Sequence, residues 1–417
     1  MAPTPTRVLY AFWLLGLLNN TAYVIMIAGA KDILPSAVGL VYVCNVLPGF
    51  AIKLTGPYWF HYVRYKHRVY CASLLMGLSF LIVALGQITK NAALSLFGIL
   101  FCSAQGSLGE ASFVALSAFY DSRKALTAWS SGTGFAGVFG YLWVSFFTLF
   151  LGLNFETSLL LALSLAAGFV AVYIFVLPEP EVQRECTVPP PEEALRLEPA
   201  MTDADDDHAA DGGPAWDGPG DPTGGPGALS RTQEMSKVTS SMTVQQRVAV
   251  TATLWPYMIP LTVVYFAEYA MQTGTWAAIG FPVTDAQSRK LFYTLANWMY
   301  QWGVFVSRSS GMLVEPTRLR LWVMPTLQTC LLVLFCLTAR YQLWYDWTLL
   351  APCFVVGLLG GAVYVGALSL IAIEVPEQHR EFALSAACLA DTVGIIFSDI
   401  VGVGIQRWLY GVYDIHD

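Results

Sequence analysis

Long apolar runs separated by short polar loops constrain the fold of this 417-residue chain more than any other feature. A helix needs about 20 mostly apolar residues to cross a bilayer, and the chain contains eleven such runs. Only 12% of its residues are charged, against about 25% in an average soluble domain. The sequence therefore predicts an all-α polytopic membrane protein with about eleven transmembrane helices. The predicted spans are 8–29, 36–56, 69–88, 92–118, 129–151, 157–177, 249–272, 290–308, 319–339, 347–373 and 384–410.

A polar segment, 178–247, separates six of these runs from the other five. It is rich in Pro, Gly and Asp and holds 14 acidic against five basic residues, so it carries the acidity behind the net charge of −7. Such a sequence cannot bury enough apolar surface to fold. We expect a disordered acidic linker between a six-helix half, 1–177, and a five-helix half, 248–417. Two halves around a long central loop are typical of a major-facilitator-like, two-bundle architecture.

The short loops carry a modest bias in positive charge. With a cytosolic N-terminus, ten Lys and Arg residues lie at the cytosolic side and six at the opposite side. Positive charge favours the cytosolic side. We therefore expect the N-terminus and the linker in the cytosol and, because the span count is odd, the C-terminus in a lumen. Whether other proteins bind the linker stays open.

Four acidic residues, Glu110, Glu268, Asp391 and Asp399, fall inside predicted spans, and the first three are the candidate site residues. A charge at bilayer depth costs about 2.5–3.5 kcal/mol on insertion scales, so such residues usually face a cavity and bind a substrate or a proton. The alternative is a polar clamp between helices. Glu268 has the clearest pattern, because the polar neighbours on its predicted helix share one face at spacings of three and four residues. Those neighbours are Tyr265, Tyr269 and Gln272.

Other predicted helices carry polar faces as well. The remaining candidate residues for substrate or proton binding are Asn19, Asn20, Asn297, Gln301 and Arg308. We expect Lys53 and Arg308 near the membrane edge and an interior richer in acid than in base. A basic amino acid would suit such carboxylates directly. An anionic solute would need Arg or Lys, with Arg308 holding it or pairing with a buried acid.

The sequence lacks the motifs of an enzyme or a cofactor site. It has no GxSxG, HExxH or P-loop pattern, and its histidines and cysteines lack metal-ligand spacing. The glycines of a GxGxxG pattern, Gly132, Gly134 and Gly137, lie inside an apolar span, where small residues let helices approach closely. We expect helix packing there, and we expect no enzymatic activity, cofactor, metal or nucleic-acid partner.

Several co-linear blocks resemble the battenin family of lysosomal and vacuolar membrane proteins. The matching blocks are 16–34, 107–120, 129–140, 264–269, 303–310, 358–365 and 377–395. The resemblance covers both halves but not the linker. It implies a major-facilitator-like fold and roles in export of glycerophosphodiesters, in organelle pH homeostasis and, in yeast relatives, in basic amino-acid transport.

These observations lead to one functional expectation and two alternatives. We expect a lysosomal or vacuolar transporter whose partners are the lipid bilayer, a small polar solute and protons. The resemblance implies glycerophosphodiesters as the solute class. The first alternative is vacuolar transport of a basic amino acid such as arginine with a role in organelle pH. The second is a membrane trafficking adaptor that transports nothing.

Overall fold

The computed structural model of the chain describes residues 6–33, 41, 43–178 and 242–415. Within these residues the chain is helical, without a β-strand. Thirteen helices of ten residues or more follow one another. They are α1 (Thr6–Ala28), α2 (Leu47–Trp59), α3 (Tyr65–Ile88), α4 (Ala92–Leu116), α5 (Ser122–Ser145), α6 (Phe155–Ala171), α7 (Val244–Thr253), α8 (Trp255–Ala270), α9 (Ala286–Ser309), α10 (Arg318–Tyr341), α11 (Leu350–Glu374), α12 (Glu377–Ala387) and α13 (Leu389–Val412).

The predicted fold class is confirmed, but the predicted count of eleven spans is not. Among the described residues, eight helices are long and apolar enough to cross a membrane, or nine when the bent pair α7–α8 counts as one span. The helix α9 has 24 residues, yet it carries Arg289, Lys290 and Arg308, which lower its hydropathy. The helix α2 has 13 residues, and most of the earlier part of the predicted span 36–56 lies outside the described residues.

The predicted boundary of the linker differs from the structure at its C-terminal side. A capping box at Thr243 and Gln246 starts α7 at Val244, inside the segment predicted as linker. This capping motif satisfies the free N–H groups of a first helical turn. A break at Leu254 then bends the chain by 64° into α8. The rest of the predicted linker, 179–241, lies outside the described residues.

The helices form two bundles, α1–α6 and α7–α13. In the first bundle α1 packs on α5, and α3 packs on α4 and α6. In the second bundle α9 packs on α11, and α8 packs on α13. The bundles meet where α5 crosses α9 and where α12 contacts α2 and α4. These contacts enclose a space between the bundles.

Glycines set the close approach of helices within each bundle. A Cβ atom at Gly132 of α5 would lie 2.0 Å from the carbonyl oxygen of Trp13 in α1. In the second bundle, a Cβ atom at Gly357 of α11 would lie 2.1 Å from the carbonyl oxygen of Tyr300 in α9. Small residues allow such backbone contacts between transmembrane helices. The prediction of helix packing for the GxGxxG pattern is thus confirmed at Gly132.

The two bundles are joined at the end of the molecule where α1 begins. The Tyr65 hydroxyl donates a 2.5 Å hydrogen bond to Glu381 Oε1 across the bundles. Arg247 Nη1 donates to the carbonyl oxygen of Pro57 at 2.8 Å, and its guanidinium lies 5.5 Å from the Phe382 ring. The space between the bundles is therefore closed off by side chains at this end.

Gly132→Ala tests the helix contact. The added methyl group meets a backbone carbonyl that cannot rotate away, so we expect the free energy of unfolding to fall by about 1–3 kcal/mol. The matched control is Gly366→Ala in α11, where a Cβ atom would meet nothing within 4 Å. Thermal unfolding of the purified variants in detergent, followed by tryptophan fluorescence, measures the effect. Equal melting temperatures for the two variants would contradict the packing role of Gly132.

Candidate functional site

A polar cavity of about 140 Å³ lies between the two bundles. Helices α1, α2, α4 and α5 line it from the first bundle, and α8, α9 and α13 line it from the second. The structure places eight of the eleven predicted site residues in its wall. They are Asn19, Asn20, Glu110, Tyr265, Tyr269, Gln301, Arg308 and Asp391.

A buried cluster of three charged residues joins the two bundles inside this cavity. Lys53 of α2 lies with its Nζ atom 2.6 Å from Glu110 Oε2 of α4. The same Nζ atom lies 2.9 Å and 3.0 Å from the two carboxylate oxygens of Asp391 in α13. Lys53 is 4% exposed and Asp391 is 7% exposed. We call Lys53, Glu110 and Asp391 the ion triad.

Hydrogen bonds orient both carboxylates of the ion triad. The Tyr364 hydroxyl donates to Glu110 Oε1 at 2.7 Å. The backbone N–H and the hydroxyl of Thr392 donate to Asp391 Oδ1 at 2.6 Å and 3.1 Å. Buried charges are tolerated when they are both paired and hydrogen-bonded. The triad meets this condition, although with two carboxylates and one ammonium group it carries one negative charge in excess.

Arg308 of α9 lines the cavity and has no acidic partner among the residues that the structure describes. Its Nη1 atom donates to the Thr133 hydroxyl at 2.7 Å, and its Nη2 atom donates to the Tyr265 hydroxyl at 2.8 Å. Its guanidinium carbon lies 4.2 Å from the centroid of the Tyr364 ring. Its Nε atom is buried without a hydrogen-bond partner. Among the described residues, no carboxylate oxygen lies within 4.0 Å of this guanidinium. Arg308 is therefore a buried cation held by neutral groups.

Glu268 is buried behind the cavity wall instead of lining it. Its side chain is 2% exposed and accepts a 3.0 Å hydrogen bond from the Tyr300 hydroxyl, a residue that does line the cavity. Its Oε2 atom has no hydrogen-bond partner in the described segments and fits against Gly360, where a Cβ atom would lie only 1.9 Å away. Glu268 thus reaches the cavity through Tyr300.

Gln272 and Asn297 are also absent from the cavity wall. Asn297 donates a 2.8 Å hydrogen bond to the carbonyl oxygen of Tyr293 in its own helix. The Nε2 atom of Gln272 is buried without a hydrogen-bond partner. Neither side chain is brought to the ion triad or to Arg308.

Asn19 and Asn20 line the cavity and also connect helices. Asn19 Nδ2 donates to the carbonyl oxygen of Gly106 at 3.0 Å, and Gln105 Nε2 donates to Asn19 Oδ1 at 2.9 Å. Asn20 Nδ2 donates to the carbonyl oxygen of Thr133 at 3.1 Å. Both asparagines therefore act as interhelical clamps in the wall, which leaves little of their hydrogen-bonding capacity for a ligand.

The expected position of Lys53 and Arg308 near the membrane edge stays a prediction. Both residues line the cavity, where each is held by hydroxyl groups or carboxylates from other helices. The cavity wall holds two basic and two acidic side chains, so its acidity is lower than expected. The cost of a charge within an apolar span applies to Lys53 as it does to Glu110, and this signal could have identified Lys53 as a site residue. Tyr364 carried no comparable signal.

The geometry suits a small polar solute with an anionic group. Arg308 offers a positive charge whose present partners are neutral, and the tyrosines around it offer hydroxyls and aromatic faces. The described residues contain no cluster of His, Cys, Asp and Glu that could hold a metal ion. The site can bind and release a solute by charge and hydrogen bonding.

Lys53→Met tests the electrostatic role of the ion triad. The change leaves two buried carboxylates without a cation, and breaking a buried ion pair costs about 3–5 kcal/mol. We expect a lower melting temperature at pH 7.5 and a smaller loss at pH 5, because protonation removes the unpaired negative charges. Lys290→Met, at an exposed position of α9, is the matched control. A loss that is the same at both pH values would contradict this account.

Comparisons with known proteins match this architecture and nearly the whole sequence. The profile of the family described as CLN3 protein matches residues 10–412. Protein BTN1 of Yarrowia lipolytica is 32% identical over 427 residues, covering 99% of this chain and 97% of the relative. Battenin of Canis lupus familiaris is 33% identical and covers 95% of this chain and 90% of the relative. Protein btn-1 of Neurospora crassa is 31% identical over 97% of this chain and 88% of the relative.

Solved structures of major facilitator superfamily transporters share the fold. The proton:xylose symporter XylE bound to 6-bromo-6-deoxy-D-glucose superposes with a TM-score of 0.64 at 13% identity, covering 99% of this chain and 90% of that protein. The E. coli fucose:proton symporter FucP has a TM-score of 0.52 at 12% identity, covering 99% and 98%. At such low identity the likeness shows the fold alone.

Proposed function

Because this chain belongs to the battenin family, we propose that it is a proton-linked transporter of small anionic organic solutes in a lysosomal or vacuolar membrane. The solute class is the glycerophosphodiesters. Arg308 binds the phosphate group, and the intramembrane carboxyl groups of Glu110, Glu268 and Asp391 carry the linked protons.

The position of Arg308 is the observation that carries this proposal. A guanidinium binds phosphate oxygens with paired N–H groups and is favoured wherever phosphate is recognised. Within the described part of the chain, Arg308 lies in the cavity without a carboxylate partner, and its buried Nε atom lacks an acceptor. An entering phosphodiester supplies the missing negative charge and the missing acceptor.

A basic amino acid is the less suitable solute for this cavity. Its ammonium or guanidinium group would need a free carboxylate, yet both acidic side chains in the wall are bound to Lys53. It would also have to enter beside the positive charge of Arg308. A trafficking adaptor without transport would not need a buried cation in a polar cavity.

The proposed direction follows from the expected orientation. The N-terminus and the linker lie in the cytosol and the C-terminus lies in the lumen. The end of the molecule that is closed by Tyr65, Glu381 and Arg247 is the end where α1 begins, and therefore the cytosolic end. The solute and the protons enter from the acidic lumen.

Arg308→Gln tests solute binding. We expect uptake of radiolabelled glycerophosphoglycerol into proteoliposomes to fall about tenfold or more, because a hydrogen-bonded charge contact to the phosphate is lost. Arg308→Lys keeps the charge but not the paired N–H groups and should retain part of the uptake. Arg320→Gln, at an exposed position of α10, is the control. Uptake of arginine in place of glycerophosphoglycerol by the unaltered protein would favour the basic amino-acid alternative.

Glu268→Gln tests proton linkage. The carboxyl group is buried and has no cation within 4.0 Å among the described residues, so it can hold a proton without breaking an ion pair. Glutamine keeps the shape and removes the titration. We expect normal folding, loss of uptake driven by a pH gradient, and retention of solute exchange at equal pH. Undiminished pH-driven uptake would assign Glu268 a purely structural role.

A further inference from the structure

Lys53 is the second cation of the cavity and lies in the same wall as Arg308. Its ammonium group has three N–H donors, and they are occupied by Glu110 of the first bundle and Asp391 of the second. Lys53 therefore binds no solute while both carboxylates hold it. Its contacts with Asp391 also join α2 to α13, which belong to different bundles.

Tyr364 connects Lys53 to the proposed phosphate site. Its hydroxyl binds Glu110, the partner of Lys53, while its ring lies under the guanidinium of Arg308. A solute whose phosphate binds Arg308 at this ring is thus adjacent to the carboxylate that holds Lys53. Both cations line one cavity of about 140 Å³, so an anionic group that enters it shares the cavity with Lys53 as well as with Arg308.

An anionic solute that binds in the cavity adds negative charge that none of the described cations of the wall balances. The ion triad already carries one negative charge in excess, and among the described residues of the cavity wall only Arg308 balances it. A phosphodiester adds a further negative charge to a space with a low effective dielectric constant, where like charges repel strongly. The charge is relieved when one carboxylate binds a proton and leaves Lys53 free to contact the phosphate.

We propose that Lys53 is a reserve anion-binding residue, which passes from a carboxylate of the ion triad to the phosphate of the solute as that carboxylate takes up a proton. This inference rests on the proposed function and deepens it. No covalent bond changes. One proton moves from the acidic compartment to a triad carboxylate, and Lys53 stays charged throughout. The net charge of the triad with the bound solute then equals that of the triad without it.

Titratable groups from the neighbouring helices surround the ion triad of Lys53, Glu110 and Asp391. They are Tyr265 and Glu268 from α8, Arg308 from α9, Tyr364 from α11, and Cys388 at the junction of α12 and α13. Among the acids of the described residues, only Glu110 and Asp391 contact Lys53. The proton that balances the charge of the bound solute is therefore assigned to one of these two residues.

The proposal also assigns a mechanical step. When Asp391 is the carboxylate that is protonated, its two contacts with Lys53 weaken, and these contacts join the two bundles. Solute binding and separation of the bundles at this point then occur together. Without solute, Lys53 stays bound to Asp391 and the bundles stay joined at this point. Protons therefore do not cross the membrane without solute.

Isothermal titration calorimetry of the purified full-length chain tests the transfer. Glycerophosphoglycerol is titrated at pH 6 in two buffers of different ionisation enthalpy, which gives the number of protons bound with the solute. We expect about one proton in the unaltered protein, because a released buried carboxylate favours its neutral form. In Glu110→Gln/Asp391→Asn we expect none, with an affinity that no longer varies between pH 5 and 7.5.

Asp399→Asn serves as the control. It removes another acid of α13 that has no ion pair within 4.0 Å in the described residues, and it should keep the proton bound with the solute. Loss of that proton in Glu268→Gln but not in the double variant would overturn the proposal.

Titration of the unaltered protein distinguishes failure of the Lys53 role from failure of the proposed solute class. It does so even if the double variant does not fold. Solute binding without proton uptake overturns the role of Lys53 and leaves the transporter function standing. Absence of glycerophosphoglycerol binding at every pH overturns the proposed solute class itself. Lys53→Arg, which keeps the cation, should retain the proton uptake.

Discussion

Neutralising charge in a medium that cannot solvate it is the constraint on which the rest of this structure depends. Lys53, Glu110 and Asp391 come from three helices in two bundles, and none of them is tolerable alone at bilayer depth. A buried ion pair rarely stabilises a protein more than well-packed apolar residues would. The triad is therefore poorly explained as a stabilising device and well explained as an element whose charges change partners.

The sequence predicts those features of the fold that depend on local pattern. Apolar runs predict the helices, and polar faces at helical spacing place Tyr265, Gln301 and Arg308 in one cavity wall. A polar face does not say which neighbour it meets, so Glu268 was expected in the cavity and instead packs against Gly360. Pairing across the bundles was also beyond local pattern, since Lys53 and Asp391 are 338 residues apart.

The architecture of this protein and the residues that line its cavity are two separate features. The xylose and fucose symporters share its architecture at 12–13% identity, so the arrangement of two bundles around a cavity does not depend on the residues in the wall. In the proposed function, those residues select the solute. Here they form a patch in which one cation is bound to acids and the other to neutral hydroxyls.

The glycines of α5 have a further consequence for how the two bundles meet. Gly132 faces α1 in its own bundle, whereas a Cβ atom at Gly134 would lie 3.1 Å from the Cα atom of Phe305 across the bundle interface. Because Gly134 has no side chain, α5 and α9 approach closely enough for the Arg308 guanidinium to donate to the hydroxyl of Thr133, the preceding residue of α5. The residue that carries the proposed phosphate site therefore owes its position to a missing side chain on the opposite helix.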